Sequence, residues 1–211
     1  MRFNKGADVY AADGKRLGEL GRVVLNPHTW KVTDIVVHKG YFFTTDKVIP
    51  VEDIQQTLEE RVTLLESARV DAFPDYVETE FISLVGDDKT AADLPSPVLW
   101  YPPFGMMVYN AMGTQAPYIV RETRNVPSDT QALVIGSKVL TADGKHVGHI
   151  QEVFMESTTN QASHILISKG LLLPGEKLVP THWINEIAGG EVHLAVGEAM
   201  LMSLPYYNHR E

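Results

Sequence analysis

Residues 6–18 read GADVYAADGKRLG, and residues 136–148 read GSKVLTADGKHVG. The two stretches lie 130 positions apart, and the match runs without a gap over residues 6–64 and 136–194. Seventeen of those 59 positions are identical, from Gly6/Gly136 to Leu64/Leu194, where chance at ordinary composition gives about one in seventeen. Many others exchange one apolar residue for another: Leu17/Val147, Leu20/Ile150, Val36/Leu166, Val37/Ile167 and Val48/Leu178. After one inserted residue, Pro74 and Tyr76 meet Pro205 and Tyr207. So long a period, present twice, specifies tandem domains and not a solenoid.

Each copy reads as short strands. Asp13-Gly14 and Asp143-Gly144 separate β-prone runs and supply the positive φ that a tight hairpin needs. Strands are predicted over 16–25 and 146–155, 31–38 and 161–168, 47–51 and 177–181, and 61–65 and 191–196. Pro50 and Pro180 suit a strand end or bulge. Residues 52–54 and 182–184 read as a helical turn, and a short helix is predicted over 67–73 and over 197–204. The Asn26-Pro27 turn signal has no clear equivalent at Glu156-Ser157. The expected fold is mainly β: two small antiparallel β-barrels in tandem, each with a short C-terminal helix. The predicted division is 1–86, a linker over 87–132 rich in proline and aromatic residues, and 133–211. Each half is expected to close its own barrel.

Composition narrows the function classes. The chain has 211 residues, 18 Lys and Arg against 27 Asp and Glu, and a net charge of −9. The acidity is spread evenly along it. Such a field repels a phosphate backbone, so nucleic acid is disfavoured as a partner. There is no cysteine, which excludes disulfides, cysteine nucleophiles and thiolate metal sites and suits a reducing, cytoplasmic setting. Residues 1–6 contain no apolar segment of the signal-peptide kind. The longest apolar stretch, 98–112, is broken by Pro102, Pro103 and Gly105, so no transmembrane helix is expected.

The run Gly-x-x-Val-x-x-x-Asp-Gly-Lys-x-x-Gly, an apolar strand, Lys-Gly, and Pro-x-x-x-Ile, at 6–54 and again at 136–184, resembles the PRC-barrel domain. The resemblance covers both repeats but not the linker, and is nearest to tandem PRC-barrel proteins of bacteria. It implies a small, mostly antiparallel barrel that serves as a protein-binding or scaffolding module and is not a catalyst. Two settings of the family are a membrane-anchored photosynthetic subunit and a ribosome maturation factor. This chain lacks the membrane helix of the first and a recognisable N-terminal partner domain of the second.

No catalytic constellation is found, and no catalytic, cofactor or metal residue is assigned. The carboxylate pairs Glu52/Asp53, Glu59/Glu60 and Asp87/Asp88 fall in turns or the linker, without the cleft that would separate their pKa values. Ser157, Ser163 and Ser168 lack the strained turn of a nucleophile. The Asp-Gly-Lys segments read as hairpin turns with an exposed lysine, and Gly18, Gly148, Gly40 and Gly170 as bulges or strand ends. Six of eight histidines lie in the second copy or its tail: His146, His149, His164, His182, His193 and His209. His146 and His149, three apart on a strand, are expected on opposite faces and are poorly spaced for joint metal ligation. A small-ligand or metal-binding protein using these histidines is the alternative reading, and a ribosome-assembly role by analogy is the third.

The linker carries the remaining signal. It holds Pro95, Pro97, Pro102, Pro103, Pro117 and Pro127 with Trp100, Tyr101, Phe104, Met106, Met107 and Tyr109. A flexible spacer would be polar, whereas large aromatics and methionines bury surface against something. These six aromatic and methionine residues are the candidate contact set, packed on the chain's own barrels, on a neighbouring subunit or partner protein, or on a membrane surface, for which the segment lacks a clear amphipathic period and has few basic residues. The expected function is a non-catalytic interaction or assembly module. It is expected to form a homo-oligomer through spare apolar barrel surface, and no cofactor is assigned.

Overall fold

A computed structural model describes residues 1–38, 40, 43–58, 60–77, 80–83, 118–121, 126–127, 129–168 and 175–208. The chain divides into two compact units. One combines Met1–Tyr76 with Asn125–Glu211, and the other is Val77–Arg124. In the smaller unit β8 (Glu80–Ser83) and β9 (Tyr118–Arg121) pair antiparallel.

The larger unit contains both repeats. The first supplies β1 (Arg2–Asn4), β2 (Asp8–Tyr10), β3 (Arg16–Leu25), β4 (Val32–His38), β5 (Lys47–Pro50), β6 (Ile54–Leu58) and β7 (Arg61–Leu64). The second supplies β10 (Gln131–Val134), β11 (Lys138–Leu140), β12 (His146–Glu156), β13 (Gln161–Ile167), β14 (Lys177–Pro180), β15 (Ile184–Ala188) and β16 (Glu191–Leu194). Two seven-stranded sheets result, ordered β5-β4-β3-β2-β7-β6 and β14-β13-β12-β11-β16-β15, each with one more strand on its long central member. All pairings are antiparallel except β2 with β7 and β11 with β16. Among the described residues the ladder of each sheet stays open between its two end strands. A 3-10 turn spans that gap, at Val51–Asp53 in one repeat and Thr181–Trp183 in the other. Each turn begins after a proline, Pro50 or Pro180, whose φ near −60° suits its entry.

The Asp-Gly turns form as predicted, with φ of +86° at Gly14 and +74° at Gly144. The turn missing from the second sequence forms as well: Asn160 N–H donates to the Glu156 carbonyl as Trp30 N–H does to Asn26, and both Trp30 and Asn160 adopt positive φ. Among the described residues only the second repeat ends in an α-helix, α1 (Glu198–Ser203). The helix expected over 67–73 is reduced to a 3-10 turn at Val70–Ala72.

The larger departure concerns closure. The first strand of each repeat joins the other repeat's sheet. β1 lies on β12, pairing Arg2 with Phe154, Phe3 with Val153 and Asn4 with Glu152. β10 lies on β3, pairing Ala132 with Val24, Leu133 with Val23 and Val134 with Arg22. Shifting every number in one set by 130 gives the other, so the exchange is reciprocal and in identical register. Flanking bonds obey the same rule: Lys5 N–H to Gln151 C=O at 2.8 Å, and Ile135 N–H to Gly21 C=O at 3.0 Å. A pseudo-twofold axis passes through the Lys31–Gln161 bridge, where Val32 N–H reaches Asn160 C=O at 2.7 Å and Ala162 N–H reaches Trp30 C=O at 2.8 Å. Phe3 and Leu133, the centres of the exchanged strands, are fully buried in one continuous apolar cluster that draws on both repeats. Each such side chain contributes roughly 1.5–3 kcal/mol by burial, so the repeats share a core and neither closes on its own strands alone.

Candidate functional site: the unlike faces of two like repeats

The common backbone carries different chemistry in the two copies. The pairing of β2 with β3 skips a residue, setting Val9 opposite Gly18 and Tyr10 opposite Arg16; β11 and β12 repeat this at Val139/Gly148 and Leu140/His146. The skip is a β-bulge, which leaves Leu17 and Val147 as extra buried residues. A Cβ on Gly18 would collide with the His38 carbonyl oxygen, and one on Gly148 with that of Ser168, so the bulge needs glycine in both places.

The bulge overturns the expectation that His146 and His149 face apart. Their rings meet edge to face with centroids 4.9 Å apart, because the extra residue restores a common face to positions three apart. In the first repeat the same geometry joins Arg16 to Glu19 at 2.8 Å and to Asp8 at 2.6 Å. The second repeat has Lys138, His146 and His149 in the places of Asp8, Arg16 and Glu19. An ionic triad of one cation and two carboxylates in one copy is a set of basic groups in the other. Desolvation holds the His149 pKa below its usual value, helped by His146, Lys5 and Lys138. The His146 ring Nε2 lies 3.0 Å from the Gly148 carbonyl.

A second pair diverges similarly. Asp34 and Glu52 correspond to His164 and His182. Burial raises the Asp34 pKa, and Glu52 raises it further. Burial lowers the His164 pKa, and His182 adds to the effect. Among the described residues no three His, Asp or Glu side chains form a grouping able to hold a metal. His209 lies outside the described residues.

These shifts set the pH response. His149 and His164 bind protons less readily folded than unfolded, so the stability they contribute is complete above pH ~6.5 and is lost as pH falls through their folded pKa values. Asp34 acts oppositely: its raised pKa favours the fold below pH ~3.8 and works against it once pH exceeds the folded value. Melting curves are therefore expected to show a Tm decline as pH falls below about 6.5 that His149→Gln/His164→Gln flattens. Asp34→Asn is expected to raise Tm at pH 7 and to lose that advantage near pH 4. An unchanged acid limb in the double histidine variant would contradict the assignment.

The repeats also differ at their C-terminal ends. In the second, Lys145 Nζ bridges Glu198 of α1 at 2.7 Å and Asp143 at 3.5 Å, and Ala142 N–H donates to Val196 C=O at 3.0 Å. In the first, which lacks the helix, a cleft of about 360 Å³ separates Ala11, Ala12 and Asp13 from Leu65, Glu66, Ala68 and Val70. Met200 and Met202 on α1 are 51% and 44% exposed, and Tyr206 just after it is 56% exposed.

The candidate contact residues of the linker, Trp100, Tyr101, Phe104, Met106, Met107 and Tyr109, lie outside the described residues. Sequence reasoning missed the α1 surface: a short helix was expected over 197–204, but only the burial of Leu201 between the exposed Met200 and Met202 shows which side chains are spare. Ser157, Ser163 and Ser168 serve the fold. Ser157 Oγ accepts from the N-terminal ammonium at 3.3 Å, Ser163 Oγ donates to Phe154 C=O at 3.4 Å, and Ser168 Oγ accepts from His149 N–H at 3.1 Å. No described helix is long and apolar enough to cross a membrane.

A comparison with curated proteins gives no match. The family model of the PRC-barrel domain matches residues 5–81 and, separately, residues 130–196. With two such matches spanning most of its length, the chain belongs to the PRC-barrel family and carries the domain twice.

Proposed function

We propose that the protein is a non-catalytic interaction or assembly module, in which the paired repeats form a fixed body and apolar surface outside the shared core makes the contacts. The observation that carries this reading is the exposure of Met200, Met202 and Tyr206, three large apolar or aromatic side chains at the end of the second repeat. Methionine and tyrosine are enriched in protein interfaces, and clustered exposed apolar side chains mark such surfaces. The helix that presents them is tied down by Lys145 and by the buried Lys177, so the surface is held in a fixed geometry. The cysteine-free composition suits a cytoplasmic module, and self-association through this surface would give the homo-oligomer expected of small barrels.

The test compares full-length bait, a Met200→Ser/Met202→Ser variant, and a version with residues 84–117 replaced by an Asn-Gly turn. Affinity capture from the native host and light scattering are the readouts. Loss of a defined partner, or of self-association, in the serine variant at unchanged Tm is the expected result. Retention of all contacts by that variant would refute the assigned surface, and loss only in the shortened version would assign the contacts to the linker.

A further inference from the structure

The reciprocal exchange has the form of an isologous interface between identical subunits. The same strand of each repeat reaches the same edge of the other in the same register, and an antiparallel bridge lies on the axis. An interface of that symmetry is what a twofold dimer of single repeats would form by swapping first strands. Among the described residues its hydrogen bonds and its buried plugs, Phe3 and Leu133, join one repeat directly to the other. Side chains reinforce it. Arg2, on the exchanged β1, stacks its guanidinium 5.3 Å over the Phe154 ring and approaches Glu152 at 3.9 Å. Arg2 N–H also donates to Thr57 Oγ1 of its own repeat at 2.8 Å. Gln161 Nε2 donates to Thr29 C=O at 3.2 Å across the axis.

We propose that the two repeats recognise each other as a dimer of PRC barrels that persists without the covalent connection, so that either repeat can take its partner from another chain. The partner this surface fits is a second PRC repeat offering an extended first strand with one large apolar side chain at its centre. The connecting segment then acts only by raising effective concentration. This inference is independent of the contacts assigned to α1.

The experiment uses the full chain with a protease recognition sequence inserted after residue 97. After cutting, the two fragments are expected to co-elute at the mass of the uncut chain at about micromolar concentration, with an unchanged far-UV spectrum. Light and isotope-labelled cut proteins, unfolded together and refolded, are expected to give mixed pairs by native mass spectrometry. Phe3→Ala in the cut protein is expected to raise the dissociation constant by about 100-fold or more. Separation of the fragments as folded monomers, precipitation on cutting, or refolding without mixed pairs would each overturn the proposal. An unchanged dissociation constant in the Phe3→Ala variant would overturn it as well.

Discussion

Phe3→Ala in the intact chain is expected to cost about 3–5 kcal/mol and to lower Tm by on the order of 10 °C, while leaving a single unfolding transition. The ring is fully buried although it lies three residues from the N-terminus, a position where most chains fray. It is held there because β1 completes the second repeat's sheet and the N-terminal ammonium donates to Met155 C=O at 2.7 Å. Leu133→Ala removes the symmetry-related plug from the other sheet and is expected to cost about 2–5 kcal/mol. Both plugs belong to one cluster that includes Val23 and Ile35 of the first repeat and Val153 and Ile165 of the second. Cooperative loss of that cluster makes unfolding all-or-none. Calorimetry resolving two transitions, with Phe3→Ala moving only one, would show that each repeat has its own core.

The strands that contact chemistry decides locally were legible in the sequence. β3, bounded by the Asp13-Gly14 and Asn26-Pro27 turns, falls at Arg16–Leu25 as predicted, and β4 and β5 fall within one residue of prediction. The exchange was not legible. Arg2-Phe3-Asn4 has one apolar residue between two polar ones, a pattern that fits the edge of either sheet, and Gln131–Val134 lay across the end of the presumed linker. Pairing choice between two nearly identical edges is decided by chain geometry, which periodicity does not encode. The histidine contact was half legible: Gly18 and Gly148 were read as bulges or strand ends, but a bulge changes which side chains share a face, and an alternating count carried through it gives the wrong answer. The carboxylate and imidazole pairs, Asp34/Glu52 and His164/His182, are far apart in sequence, and only the packing of β4 and β13 on the 3-10 turns brings each pair together.

Lysine recurs at one position of the repeat, and the two copies are expected to respond very differently to its loss. Lys177 is 1% exposed. Its ammonium donates to the Met202 carbonyl at 3.4 Å and to the Leu204 carbonyl, and lies 4.0 Å from the Tyr206 ring centroid. It therefore closes the C-terminal end of α1, where carbonyls lack helical partners and the helix dipole favours a cation. Lys177→Met keeps the aliphatic stem but leaves those carbonyls buried without a donor. Lost charge-assisted bonds contribute about 1.5–3 kcal/mol and the ring contact up to about 2 kcal/mol. Relief of the ammonium's own desolvation opposes them, so the net cost is expected near 2–3 kcal/mol. Lys47, its counterpart, has a side chain 21% exposed, reaches Phe73 C=O at 3.1 Å and pairs with the exposed Asp75 at 2.7 Å. Water can replace it there, so Lys47→Met is expected to cost about 1 kcal/mol or less. Urea unfolding of the two variants at pH 7 measures the difference, and hydrogen exchange in Glu198–Ser203 reports whether α1 loosens first. Equal costs for the two variants would mean that burial of the lysine, and with it the anchoring of the Met200/Met202 surface, contributes nothing beyond the shared sheet.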